Sequence, residues 1–122
     1  MPDEEVKITN GLDVIAAERQ RQISEKGYTP EHDDEHDLGE LGLAAALYAL
    51  PYDTKMAHEP LLNQVDFINL QITLETGCNW RLAPEPDPIR RLAKAGALIV
   101  AEIERRQRAA DAALKARGKD KE

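Results

Sequence analysis

Aromatic side chains are scarce in this chain: one Trp, one Phe and three Tyr among 122 residues. A core without large rings has to be filled by Leu, Ile, Val and closely packed Ala, which favours helix packed on helix. A single cysteine, Cys78, excludes an internal disulfide and any metal site built from several thiolates. No cationic cluster lies near it in sequence to activate the thiol, so a structural role is expected. No apolar run is long enough for a membrane span, and nothing near Met1 resembles a signal peptide, so a soluble, cytoplasmic protein is expected. The length predicts one domain spanning residues 1–122.

Charge is abundant but unevenly distributed. Residues 1–40 hold twelve Asp or Glu against four Lys or Arg, whereas residues 87–122 hold six against ten, within a net charge of -7. One end of the chain suits a cation and the other a phosphate. An acidic protein without a dominant basic stripe makes a poor ligand for nucleic acid, whose affinity comes largely from neutralised phosphates. A small charged ligand is the better expectation.

Helical periodicity organises most of the sequence. Leu12, Ile15, Ala16, Arg19 and Ile23 recur at helical spacing from a cap at Asn10 to a stop at Gly27. Thr29-Pro30 opens a loop, and a second helix is predicted from about residues 34–37 to Leu50, where Pro51 ends it. Leu38, Leu41, Ala45 and Tyr48 give it one apolar stripe, and His36, Glu40, Ala44 and Leu47 a second. Residues 67–75 satisfy both strand alternation and helical spacing. A lone strand would lack a partner, which favours a helix over about 66–76, ended by Gly77. Pro84, Pro86 and Pro88 stiffen a connector, and a last helix runs from Pro88 to about Lys115, with Leu92, Gly96, Ile99 and Ile103 as its apolar seam. Residues 116–122 are expected to fray. The fold class is therefore all-α.

The densest chemistry lies between Glu31 and Leu41, where six carboxylates and two imidazoles crowd together. Oxygen-rich clusters suit hard cations such as Mg²⁺ or Mn²⁺, and an imidazole can complete a Mn²⁺ shell. The alternative is a solvated acidic loop at a helix N-terminus. Glu40 is drawn inward by its apolar neighbours, and a buried carboxylate needs a cation, a metal or a positive side chain.

Glu18-Arg19-Gln20-Arg21-Gln22, Gly27-Tyr28-Thr29-Pro30-Glu31-His32-Asp33-Asp34, His36 with Gly39-Glu40-Leu41, and Lys94-Ala95-Gly96-Ala97-Leu98-Ile99 with Ala101-Glu102-Ile103-Glu104-Arg105 together resemble phage MazG-like proteins. These are similar to dATP/dGTP diphosphohydrolases of the all-α nucleotide pyrophosphohydrolase superfamily. The resemblance covers roughly residues 11–50 and 79–108, with 51–78 as an insertion outside the pattern. It implies an oligomeric helical bundle, dimer or tetramer, in the host cytoplasm. It also implies Mg²⁺- or Mn²⁺-dependent conversion of a purine (deoxy)nucleoside triphosphate to monophosphate and pyrophosphate.

Carried over residue by residue, the resemblance makes Asp37-x-x-Glu40 the first acidic pair, with Glu35 and His36 as further candidate metal ligands. The second acidic pair of the pattern falls on Lys94-x-x-Ala97, which holds no metal. Glu18, Glu35 and Glu102 are the candidates to replace it. Glu18 and Glu40 are the candidate catalytic carboxylates, with Glu18 orienting water as general base. Arg90, Arg91 and Lys94 would hold phosphates, and Trp80 would stack on the base. These roles have plainer alternatives: Glu18 paired with Arg21 or Gln22 on a solvated helix face, Lys94 and Arg91 ordinary surface cations, Trp80 a core plug; His58 is expected on the surface. The competing class is a catalytically inactive helical module that binds a nucleotide or a protein.

Overall fold

A computed structural model describes residues 10–50 and 67–120, with the side chains of 67–69, 119 and 120 excluded. Five helices follow in chain order: α1 (Gly11–Lys26), α2 (Pro30–Asp34), α3 (Glu40–Ala49), α4 (Phe67–Cys78) and α5 (Pro88–Asp120). No strand occurs among the described residues, so the all-α expectation holds. The ambiguous 67–75 segment is helical. His58 and the first part of the expected insertion lie outside the described residues.

Local chemistry sets the helix ends. The Asn10 side chain accepts from the Asp13 N–H at 2.8 Å, satisfying one of the donors that a helix start leaves open. At the other end of α1, Gly27 takes φ 75° and the Tyr28 N–H donates to the Gln22 carbonyl at 3.0 Å, closing the helix with a left-handed cap. The same closure ends α4. Asn79 takes φ 54°, and the Trp80 N–H reaches the Leu74 carbonyl at 3.3 Å. The helix therefore passes through Gly77, the expected stop, because Asn tolerates the left-handed conformation one residue after Cys78. For α5, Asp87 Oδ1 accepts from the Ile89 N–H at 3.0 Å, with Pro88 in the first turn.

The second helix begins later than its sequence pattern predicts. Thr29 caps a single turn, α2, and the chain then leaves helical geometry until Gly39, at φ 94°, readmits it as α3. The break has a physical cause. Only glycine adopts that φ without strain, and the Glu40 carboxylate accepts the Leu38 N–H at 2.7 Å, competing with helical pairing there. Leu38, outside α3, is accordingly exposed rather than part of the stripe.

α5 is the spine. α1 and α3 both pack along it, α2 touches it further on, and α4 packs on α3. The core consists of Leu41, Ala44, Ala45, Leu47, Leu74 and Leu98 with the alanines of α5. At the crossing with α1, a Cβ on Gly96 would lie 2.6 Å from Ile15 Cδ1, so glycine allows this close approach. The small residues decide which side of α5 is buried. Ala93, Ala95, Ala97, Leu98 and Ala101 face the core, whereas Leu92, Ile99 and Ile103 of the expected seam are 58%, 49% and 51% exposed. That seam is turned outward, because closely packed helices need small side chains between them.

Leu98→Ala should remove about 2–5 kcal/mol of stability, since this side chain is fully buried among α3 and α5 core residues. Urea unfolding followed by helical circular dichroism measures it; a loss near zero would mean that the α3–α5 contact is not the core.

Candidate functional site

The two left-handed caps place Tyr28 and Trp80 beside the turn that carries His32 and His36. Tyr28 stacks on His32 with centroids 4.6 Å apart and planes 6° apart, and Trp80 stacks on His36 at 5.0 Å and 22°. The two aromatic rings meet edge to face at 6.0 Å. Behind them, Asp33 is fully buried. It accepts from Arg19 at 2.7 Å and lies 3.0 Å from His32 Nδ1. Arg19 also donates to the Tyr28 carbonyl at 3.3 Å. One carboxylate thus ties α1, the Tyr28 turn and α2 together.

Glu40 is buried, as its apolar neighbours predict, and its partners are local. His36 Nδ1 lies 3.1 Å from Oε2, and the Leu38 N–H binds Oε1. Burial pushes this carboxyl up, but the backbone N–H groups and His36 outweigh it, and the net shift is downward. Glu35 and Asp37 are exposed. Among the described residues no three His, Cys, Asp or Glu side chains gather as a metal shell. Of Glu35, His36, Asp37 and Glu40, His36 and Glu40 pair with each other while Glu35 and Asp37 face solvent.

Glu102, a candidate replacement ligand, is fully engaged. Arg105 binds both its oxygens at 2.8 and 2.9 Å, and Arg106 donates at 2.8 Å. These hydrogen bonds, Arg105 first, hold its carboxyl down at about 2 against the cost of burial. Glu18 is held by Arg21 at 2.9 and 2.7 Å, one of the two partners in the plainer alternative, but it is buried rather than on a solvated face.

A cavity of about 80 Å³ opens near these residues, between α1, the 79–87 connector and α5. Trp80 and Lys94 line it, together with Arg21 and Gln22, which belong to the Glu18-to-Gln22 motif but were given no binding role, and with Lys26 and Arg81, which no motif contains. Tyr28 and Tyr48 complete its aromatic wall. Gln22 is 3% exposed, and its Oε1 has no hydrogen-bond partner. Lys94 is buried rather than solvated. It reaches Glu85 at 3.0 Å and lies 5.6 Å above the Tyr48 ring. Tyr48 donates to the Ala83 carbonyl at 2.7 Å, and burial, followed by the charges of its neighbours, pushes its phenol up to about 12. Arg91 is buried with a hydrogen bond to the Glu85 carbonyl at 3.3 Å, and Arg90 is exposed and 3.4 Å from Glu85. Neither lines the cavity. Arg21 and Gln22 lie in the run from Glu18 to Gln22, whose 18, 19 and 22 positions turn inward, whereas nothing in the sequence marked Lys26 or Arg81.

Glu102 supplies a pH prediction. A carboxyl lowered from 4.5 to about 2 contributes stability that is complete above its unfolded pKa and disappears as pH falls through the folded value, about 3 kcal/mol at most. Unfolding midpoints should fall between pH 4.5 and 2, and Glu102→Gln should flatten that part of the profile. An unchanged slope in the variant would assign the acid sensitivity elsewhere.

No protein-family model, no curated protein and no solved structure matches this chain.

Proposed function

We propose that the protein is a nucleotide-binding helical module whose ligand enters the cavity between α1, the 79–87 connector and α5. One observation carries this reading: four cations, three aromatic rings and a buried amide line a single cavity. Guanidinium and ammonium groups suit phosphate oxygens, and flat rings suit a base. About 80 Å³ accommodates a phosphoryl group or the edge of a ring, so the remainder of the ligand lies at the open mouth. A purine (deoxy)nucleoside triphosphate is the ligand implied by the resemblance.

Conversion of that triphosphate to monophosphate and pyrophosphate is the second reading. The observation favouring it is that Glu18 and Glu40, the candidate catalytic carboxylates, are both kept inside at 7% and 5% exposure. Both are paired, Glu18 with Arg21 and Glu40 with His36, so a catalytic role would require these pairs to open when the triphosphate binds. Hydrolysis dependent on Mg²⁺ or Mn²⁺ would need oxygen ligands that the described residues do not gather, which is why binding ranks first.

Self-association belongs to the same proposal. Leu92, Ile99 and Ile103 lie along one side of α5 and remain half exposed, and a continuous apolar stripe on a soluble helix marks a contact surface. A dimer or tetramer would cover it. The double variant Ile99→Glu, Ile103→Glu should lower the mass seen by light scattering to that of one chain; an unchanged mass, or a monomeric starting protein, overturns this part.

Trp80 fluorescence titrated with dATP and dGTP, followed by pyrophosphate release with Mg²⁺ or Mn²⁺, tests the two functional readings together. Saturable binding, weakened at least about tenfold by Lys94→Gln through loss of one charge-assisted contact, with no pyrophosphate released, supports the module. Release of pyrophosphate establishes the hydrolase instead. No binding and no release reject both.

A further inference from the structure

The two imidazoles face each other in an arrangement that neither reading above uses. His32 Nε2 and His36 Nε2 lie 3.3 Å apart. Each ring has its other nitrogen against a carboxylate, Nδ1 of His32 at 3.0 Å from Asp33 and Nδ1 of His36 at 3.1 Å from Glu40. A carboxylate accepts only, so each neutral ring carries its hydrogen on Nδ1 and leaves a lone pair on Nε2. The two Nε2 atoms then stand 3.3 Å apart, with no hydrogen between them unless one ring takes up a proton.

A single cation fits between them. Two nitrogens bound to one tetrahedral ion at about 2.0–2.1 Å are separated by about 3.3–3.4 Å, the spacing the rings already have. The carboxylates stand where metal-bound histidines regularly keep them, fixing the tautomer and raising the basicity of the donor nitrogen. The rings cannot easily turn away, since Tyr28 covers one and Trp80 the other. The side chains of His32 and His36 remain 29% and 19% exposed, which leaves a path for an ion. Imidazole nitrogen prefers Zn²⁺, Co²⁺, Ni²⁺ and Cu²⁺ over the hard cations.

We propose that His32 and His36 chelate one borderline transition-metal ion through their Nε2 atoms, with Asp33 and Glu40 as the orienting carboxylates and water or a further ligand in the remaining positions. The site does not depend on nucleotide binding. It takes nitrogen-seeking metals and leaves Mg²⁺ unbound, and its two protein donors agree with the absence of any three-residue shell among the described side chains.

Trp80 is the only tryptophan and stacks on one of the proposed ligands, so it reports occupancy directly. In the untagged full chain, sub-millimolar Co²⁺ or Ni²⁺ should quench its fluorescence, Zn²⁺ should displace Co²⁺ and restore it, and excess Mg²⁺ should do neither. His32→Gln and His36→Gln should each abolish the quench with helicity retained, while His58→Gln should keep it. Absence of quenching in the native chain, its survival in either of the first two variants, its loss in His58→Gln, or its reversal by Mg²⁺ overturns the proposal. Should a variant lose helicity, imidazole ¹⁵N spectra of the native chain decide: Zn²⁺ must move both Nε2 resonances while both Nδ1 positions stay protonated, and unmoved Nε2 resonances reject the site.

Discussion

The buried Asp33 carboxylate is the constraint on which the rest of this half of the molecule depends. It is fully enclosed, and it is tolerable there because Arg19 meets one oxygen and His32 the other. An ion pair of this kind contributes little net stability, since removing both charges from water costs about as much as their attraction returns. Its value is geometric. Arg19 also holds the Tyr28 carbonyl, so the position of α1 fixes the turn, the turn fixes the Tyr28 ring, and the ring fixes His32. Losing one partner would leave the other charged and enclosed, which makes the whole arrangement all-or-none.

Two helix terminations do the remaining positioning. Tyr28 and Trp80 each occupy the residue after a left-handed cap, and each donates its N–H back six residues into the helix it follows. A backbone motif that ends a helix therefore sets the direction in which an aromatic ring leaves it. Few rings are available in this chain, and two of them are used here, against imidazoles, rather than in the centre of the core. The core itself is left to Leu and Ala, which explains why α5 turns its alanines inward and its isoleucines outward.

The parts of the fold set by local chemistry were legible: the Asn10 cap, the Gly27 stop, the Pro88 start and the helical periodicity of α1 and α5. What failed were inferences about facing. The seam Leu92, Ile99, Ile103 satisfies helical spacing as well as the buried Ala and Leu98 face does, and only the close approach permitted at Gly96 and the alanines chooses between them. The His36–Glu40 contact was legible as a spacing and does form, although His36 lies outside α3. Gly39 breaks the predicted helix, and the side chains meet by capping rather than along a helical face. Of the cavity, Trp80 and Lys94 were legible as ligand-facing residues and Arg21 and Gln22 only as members of a motif, while Lys26 and Arg81 were not, because α1 buries Glu18, Arg19 and Gln22 rather than its apolar residues. Polar residues turned inward carry no periodic signature of their own.

The carboxylates of the acidic stretch between Glu31 and Leu41 divide by environment. Glu31, Asp34, Glu35 and Asp37 are exposed, and Asp34 is taken by Arg108 at 2.7 Å. The two enclosed carboxylates, Asp33 and Glu40, spend their oxygens on Arg19, on a backbone N–H and on the Nδ1 atoms of the histidines. The oxygens that are sheltered are engaged, and those that are free are solvated. What remains both sheltered and free of any donor is the pair of Nε2 lone pairs. A metal preference follows from that difference: the side chains that gave the stretch its hard-cation appearance instead orient nitrogen donors, and nitrogen donors select the softer ions.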